Sequence, residues 1–347
     1  MATGRSFAEF VKDKCHNGLY QTADDYVNEN WESMDLYTRN VHRIGHVEMI
    51  DATIERVYVR DLPEKRVAFE VGMQLEIDVK EGDYHYDESD QCYPWIRIYC
   101  EGNLLCGLDD WEIIRVEPYS KKSAPPNSLS DALVPYIPYE QLDEVATEFL
   151  REHYPAALKV TPYGQPPISV DSLALADSLG LTVKQQRIRE DASVFGQIYF
   201  VETDVEMYDA NEGKMVTMTI PRKTIIFDPQ MYLLRNLGSV NNTIIHECVH
   251  CVKHRKVFEL EKLYNAEASN ISCEVVGGAA SAVARSATEQ MEKQANQLTP
   301  RIQMPAEPFK VKAKEYIARF MRESNVRHEN EVMEQVITAL EYCVRRF

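Results

Sequence analysis

From Phe69 to Val79 apolar and polar residues alternate without interruption: Phe69, Val71, Met73, Leu75, Ile77 and Val79 stand between Glu70, Gly72, Gln74, Glu76 and Asp78. A period of two sustained over that length predicts a strand with one buried face. Shorter runs of the same kind lie at 47–59, 95–100 and 111–117, separated by the turn-rich EGDYHYDESD and EGNLLCG. Together they predict a small antiparallel β domain of four or five strands over 41–119, whose role the sequence does not disclose. Residues 1–40 show no clean period and read as short helices. The stretch SKKSAPPNSLSD, 120–131, carries too much Pro, Ser and Asn to pack, and reads as a linker with a domain boundary there.

Beyond the linker the period lengthens. Tyr139–His153 is helical in pattern, and so is Val170–Leu179, with Asp171 as N-cap and Gly180 as its stop. Strands are predicted near 181–187, 194–202 and 215–227, and from Pro229 onward the chain reads as mostly helical. Helices, a small sheet and more helices define an α+β domain over 132–305, followed by a helical C-terminal segment, 306–347. The abrupt end at Cys-Val-Arg-Arg-Phe is compatible with a fragment of a longer protein.

Composition narrows the class. The 347 residues are long enough for about two domains with cores of their own. The 38 Lys+Arg against 55 Asp+Glu leave a net charge of −17, which repels phosphate backbones, so direct nucleic-acid binding is not expected. No run is long and apolar enough to span a membrane, and the charged N-terminus lacks the apolar core of a secretory signal. A cytoplasmic protein is expected, with its eight cysteines reduced rather than paired.

Candidate chemistry concentrates in NNTIIHECVHCVKH, 241–254. His246, Glu247 and His250 form H-E-x-x-H within a helical apolar pattern. Residues four apart on a helix differ by about 40° around the axis and one turn along it, so both imidazoles can ligate one metal ion. Glu247 stands beside the first ligand, placed to take a proton from water activated by that ion. A catalytic zinc needs a third protein ligand. A His six residues after the second, preceded by a Gly, is one solution, but that position is Lys256 and no Gly intervenes. His254 is a further turn along, too far from His246 to share its metal. Downstream carboxylates remain: Glu267, Glu274 and Glu292.

The wider pattern resembles the ImmA/IrrE family of zinc metallopeptidases. It comprises H-E-x-x-H-x-x-x-H (His246, Glu247, His250, His254) and then E-x-x-A-N ending in M-P, here Glu292, Ala295, Asn296 and Met304-Pro305. Upstream, VPYIPYEQLDEVATEFL, SVDSLALADSLGLTV, VFGQIYF and TIIFDP look like the helices and strands that precede the metal helix in that family, so the likeness covers about 131–305. It implies a zincin-like, minimal thermolysin-like fold, one zinc held by His246, His250 and Glu292, and Glu247 as general base. Glu274 and Glu267 stand as alternative third ligands. Asn296, one turn past Glu292, is placed to orient that ligand, and His254 is a second candidate for such a supporting role. The chain departs from the family at Val249, where Gly or Ser is usual, in the long gap between His250 and Glu292, and in lacking a helix-turn-helix.

Other signals carry less. Cys248 and Cys251 form C-x-x-C but have no second pair, and Cys248 faces away from His250, so both read as thiols of an apolar face. The acidic run from Asp83 to Asp90 lacks the Gly of a calcium loop. His42 and His46 have no matching carboxylate, and Gly277-Gly278 reads as a helix break. The function implied by the resemblance is a zinc endopeptidase acting on one protein substrate, a transcriptional repressor of a mobile element or stress regulon. The alternative is a catalytically inactive binding module of the same fold, acting through its β domain. Two imidazoles and a carboxylate also accept Mn²⁺ or Fe²⁺.

Overall fold

The computed structural model describes residues 6–82, 88–119, 128–230, 237–265, 268, 270–273, 287–324 and 329–347. The fold is mixed α+β, and the chain divides into two compact units: Met1–Tyr136 with Arg255–Ala266, and Ile137–His254 with Glu267–Phe347. Among the described residues no helix is long and apolar enough to cross a membrane.

The first, a β unit, holds helix α1 (Phe7–Asn30) and strands β1 (Ile44–Asp61), β2 (Arg66–Glu81), β3 (Ser89–Cys92), β4 (Trp95–Asn103) and β5 (Glu112–Pro118). The strands form an antiparallel sheet in the order β1-β2-β4-β5, with β3 also on β2. The clean alternation of 69–79 belongs to the central strand β2, whose Phe69, Val71, Met73, Leu75, Ile77 and Val79 are all buried. On β1 the register slips after Met49 and again after Ile54, so the buried set moves from Val47 and Met49 to Ala52 and Ile54 and then to Val59. Each bulge inserts a residue and resets the alternation, which blurs the period over 47–59.

Residues 7–30 are one helix of 24 residues rather than short helices. The helix buries Phe7, Val11, Cys15, Leu19, Ala23 and Val27, a single residue per turn, a stripe too narrow to stand out as a period. The Ser6 hydroxyl accepts the Glu9 N–H at 3.1 Å and caps it. Residues 128–131, read from sequence as the end of the linker, pack onto this unit: Leu129 is buried and bridges to Val59, and Asp131 accepts the N–H groups of Phe7 and Ala8. Residues 120–127 lie outside the described residues. Helix α5 (Arg255–Tyr264) closes the unit. Its Lys256 donates to Asp61 and to the Leu62 carbonyl, Lys65 pairs with Glu259 at 3.0 Å, and Leu260 joins the core.

The second, the metal unit, runs through helices α2 (Leu142–His153) and α3 (Ser172–Ser178) and strands β6 (Thr182–Gln185), β7 (Gly196–Tyr199), β8 (Thr203–Asp209), β9 (Lys214–Ile220) and β10 (Thr224–Phe227). It continues through α4 (Leu237–Lys253), β11 (Asn270–Cys273), α6 (Ala287–Gln303), α7 (Ala306–Glu323) and α8 (Glu329–Val344). As expected, the Asp171 carboxylate caps α3 by accepting from Leu173 and Ala174, and Gly180, at φ +66°, ends it. The sheet order is β11-β7-β10-β6, with β10 parallel to β6 and the other pairs antiparallel. The single strand expected over 215–227 is two. β9 stops at Ile220 and pairs with β8 in a separate hairpin, and after Lys223 at φ 57° the chain enters β10 in the other sheet. β8 has no apolar alternation of its own beyond Val205 and buried Met207, which hides it from a periodicity argument. The helical C-terminal segment is the pair α7 and α8, packed around Ala313, Tyr316, Ala339 and Cys343.

Candidate metal centre

Helix α4 is a core helix. Val240, Ile244, Ile245, Cys248 and Val249 are buried, and so are its polar residues Thr243, His246, Glu247 and His250. Burying polar groups is costly unless they are matched, so a helix of this kind retains them for a reason outside propensity. Its H-e-x-x-h spacing brings His246 Nε2 and His250 Nε2 to 3.0 Å of one another. Helix α6 supplies the third member: Glu292 Oε2 lies 3.2 Å from His246 Nε2, and Glu292 Oε1 lies 3.2 Å from His250 Nε2.

These three side chains form the one His/Cys/Asp/Glu group found among the described residues whose ligand atoms converge, all within 4.8 Å. The donor set fits a divalent cation. An ion with bonds of about 2.0–2.1 Å in tetrahedral geometry separates its ligand atoms by about 3.3 Å, close to the spacings here. Two imidazole nitrogens facing one another at 3.0 Å cannot both carry a proton, and buried Glu292 Oε1 receives no hydrogen bond. Electrostatics agree. Burial opposes ionisation of Glu292, but the facing imidazoles of His246 and His250 outweigh it and hold the carboxyl well below its usual range. Burial likewise works against a charged His246, and its bond to Glu292 and the charge of Glu247 reverse that, raising its pKa. The three side chains form an acceptor set that could hold a metal ion.

Glu247 follows His246 on the same turn and is almost fully buried. Strand β7 runs against it: a Cβ added at Gly196 would stand 3.0 Å from Glu247 Oε1 and 2.5 Å from Thr243 Cγ2. The glycine in VFGQIYF is therefore a packing requirement of the candidate base. The edge of β7 away from β10 carries β11, with Cys273 opposite Gly196 and Asn270 opposite Tyr199.

His254 does not share the metal position, as its distance from His246 implied. Fully buried, it contacts the far side of His250, Nδ1 to Nδ1 at 2.9 Å, and its own Nε2 lies 3.0 Å from Gln294 Oε1. Burial, reinforced by neighbouring His250, pushes its pKa down to about 3. Asn296 is not where a supporting group would have to be: it is exposed on α6 and makes no side-chain hydrogen bond to a described residue. The buried stripe of α6 is Met291, Gln294, Ala295, Leu298, Thr299 and Ile302, and Asn296 falls outside it. Gln294, on that stripe, was not singled out by sequence. It lies two residues from Glu292, about 200° around the helix, so helical spacing alone argues against a shared site.

Glu267, Glu274, Gly277 and Gly278 lie outside the described residues. Lys256 pairs with Asp61 in the β unit. Cys248 is buried and Cys251 partly so, and neither is in a disulfide. His42 and His46 are exposed. No protein-family model, curated protein or solved structure matches the chain.

Proposed function

We propose that the chain is a zinc-dependent endopeptidase with a protein substrate. The observation that carries the reading is the convergence of Glu292 from α6 with His246 and His250 of α4, next to Glu247 on that same helix α4. His246, His250 and Glu292 would hold the ion. Bound zinc supplies Lewis acidity and brings the pKa of water at its open position toward about 7. Glu247 accepts a proton from the attacking water at its carboxylate and passes it to the amide nitrogen that leaves. Glu247's burial shields that transfer from bulk solvent. The sequence resemblance to ImmA/IrrE peptidases supports a transcriptional repressor of a mobile element or stress regulon as substrate, met in the cytoplasm.

A second reading, an inactive binding module of the same fold, is favoured by one observation. The free edge that β7 would offer an extended peptide is taken by β11 of the same chain. Glu247 separates the two. The zinc-loaded protein is incubated with a proteome-derived peptide library and with candidate repressors, and cleavage is read by mass spectrometry. Glu247→Gln is expected to lower cleavage by about 10²–10⁴-fold while retaining one zinc per chain. Cleavage unchanged in Glu247→Gln, or none by the zinc-loaded parent, leaves the binding reading.

A further inference from the structure

Beyond the three ligands lies a line of contacts that runs away from the metal position: His250 Nδ1 to His254 Nδ1 at 2.9 Å, then His254 Nε2 to Gln294 Oε1 at 3.0 Å. We propose that Gln294 is a positioning residue that sets, through His254, which ring nitrogen of His250 carries the proton. The inference rests on the metal reading for its purpose, and its geometry stands without it.

A neutral imidazole has one N–H and one bare nitrogen. An amide oxygen has no hydrogen to give, so the contact with Gln294 Oε1 is donated by His254 Nε2–H. That leaves His254 Nδ1 as an acceptor. The short contact between the two Nδ1 atoms then requires the hydrogen to sit on His250 Nδ1. His250 Nε2 is thereby left with its lone pair, and this is the atom that faces His246 Nε2 and Glu292 Oε1. Reversing the amide reverses every step: His250 would present an N–H to the cation and could not ligate it.

Burial makes the arrangement decisive. His250 and His254 are fully buried and Gln294 nearly so, so water does not compete for these contacts. Metal-bound histidines ordinarily give their second N–H to a carboxylate or a backbone carbonyl, which fixes the tautomer. Here a second imidazole stands in between and carries the same instruction across one helical turn, from α6 back to α4. Glu292 and Gln294 stand two residues apart on α6, so this helix supplies one group to the metal position and one to the end of the relay.

The test uses the full chain with ¹⁵N-labelled histidine. In metal-free protein, the imidazole nitrogen shifts of His250 are expected to report Nδ1–H and bare Nε2. Zinc affinity is then measured by competition with a chelator for the parent, Gln294→Met and Gln294→Glu. Removing the acceptor in Gln294→Met should mix the His250 tautomers and weaken zinc binding about 10- to 100-fold. Gln294→Glu, which keeps an acceptor, should restore both. A merely structural role for Gln294 would leave the tautomer pattern unmoved. His250 protonated at Nε2 in the parent overturns the proposal even if no variant folds, and so does parental zinc affinity in Gln294→Met. A parent that takes up no zinc defeats the metal reading alone, because the metal-free tautomer pattern still decides the relay.

Discussion

In the β unit a buried cation meets a buried anion, whereas at the metal position of the other unit His246, His250 and Glu292 come together with no lysine or arginine paired to them among the described residues. Arg97, 0% exposed, faces Glu70, 2% exposed, at 3.7 Å, and Arg60 reaches the other carboxylate oxygen at 3.5 Å. The Arg97 guanidinium also donates to the Tyr99 hydroxyl at 3.3 Å and lies 4.8 Å from the Tyr119 ring centre. Its charge belongs to the chain permanently. Glu292, by contrast, has His246 and His250 as its ion-pair partners among the described residues. Buried charge is tolerated when it is matched, so a cluster that supplies its own counter-charge is complete, and one that does not can take its match from a bound cation.

The comparison is broken most severely at Arg97. Arg97→Met removes the buried partner of Glu70 and leaves it to more exposed cations such as half-exposed Arg60, and is expected to cost about 3–5 kcal/mol of β-unit stability. Adding Glu70→Leu should return most of that loss, because it removes the orphaned charge. Urea unfolding followed by Trp95 and Trp111 fluorescence reads both, with Trp31 the third tryptophan and also in this unit. A stable Arg97→Met single variant would show that the pair is not what completes this face.

Acid separates the two clusters in sign. Buried His254 has its pKa pushed down to about 3, from about 6.5 in an unfolded chain. The unfolded chain therefore takes a proton that the folded unit refuses. The stability this gives is full above about pH 6.5 and is lost as pH falls toward 3, by up to about 1.4 kcal/mol per pH unit. Glu292, held low, acts in the same direction at lower pH. Glu70 has its pKa raised by burial against the pull of Arg60 and Arg97, so protonating it on acidification favours the folded β unit. Metal-free protein titrated from pH 7 to 4 should lose the metal unit first, as read by hydrogen exchange of α4 amides. His254→Asn should flatten that loss, and an unchanged slope would count against the buried neutral imidazole.

What could be read from the sequence divides along the same line. β2 was legible because a central strand repeats every two residues, and H-E-x-x-H because both histidines lie on one helix at a fixed spacing. Glu292 was reached through the spacing of EKQAN and its resemblance to a known motif, not through periodicity. Gln294 was illegible, since its role depends on how α6 lies against α4, and nothing in a local pattern marks one polar residue on a buried stripe. β11 was hidden too: Asn270-Ile-Ser-Cys273 is too short to alternate, and only pairing with β7 makes it a strand.

The smallest expected effect lies where the strand and the candidate base meet. Gly196 has an ordinary extended backbone, so its small size rather than its conformational freedom is what matters. An alanine methyl there would stand 2.5 Å from Thr243 Cγ2, inside any tolerable contact, and 3.0 Å from Glu247 Oε1. Thr243 is β-branched on a buried helix and has little room to turn, so the strain falls on β7, on α4 and on the Glu247 carboxylate. Gly196→Ala is expected to cost about 1–3 kcal/mol of metal-unit stability. It should leave zinc stoichiometry unchanged, because the atoms nearest the added methyl belong to Thr243 and Glu247 and not to His246, His250 or Glu292. Cleavage should fall further than stability does, since the group displaced is the proposed general base. Adding Thr243→Ser removes the nearest clash and should recover the stability but only part of the rate. A Gly196→Ala protein with full activity would mean that Glu247's position beside β7 is incidental to the chemistry.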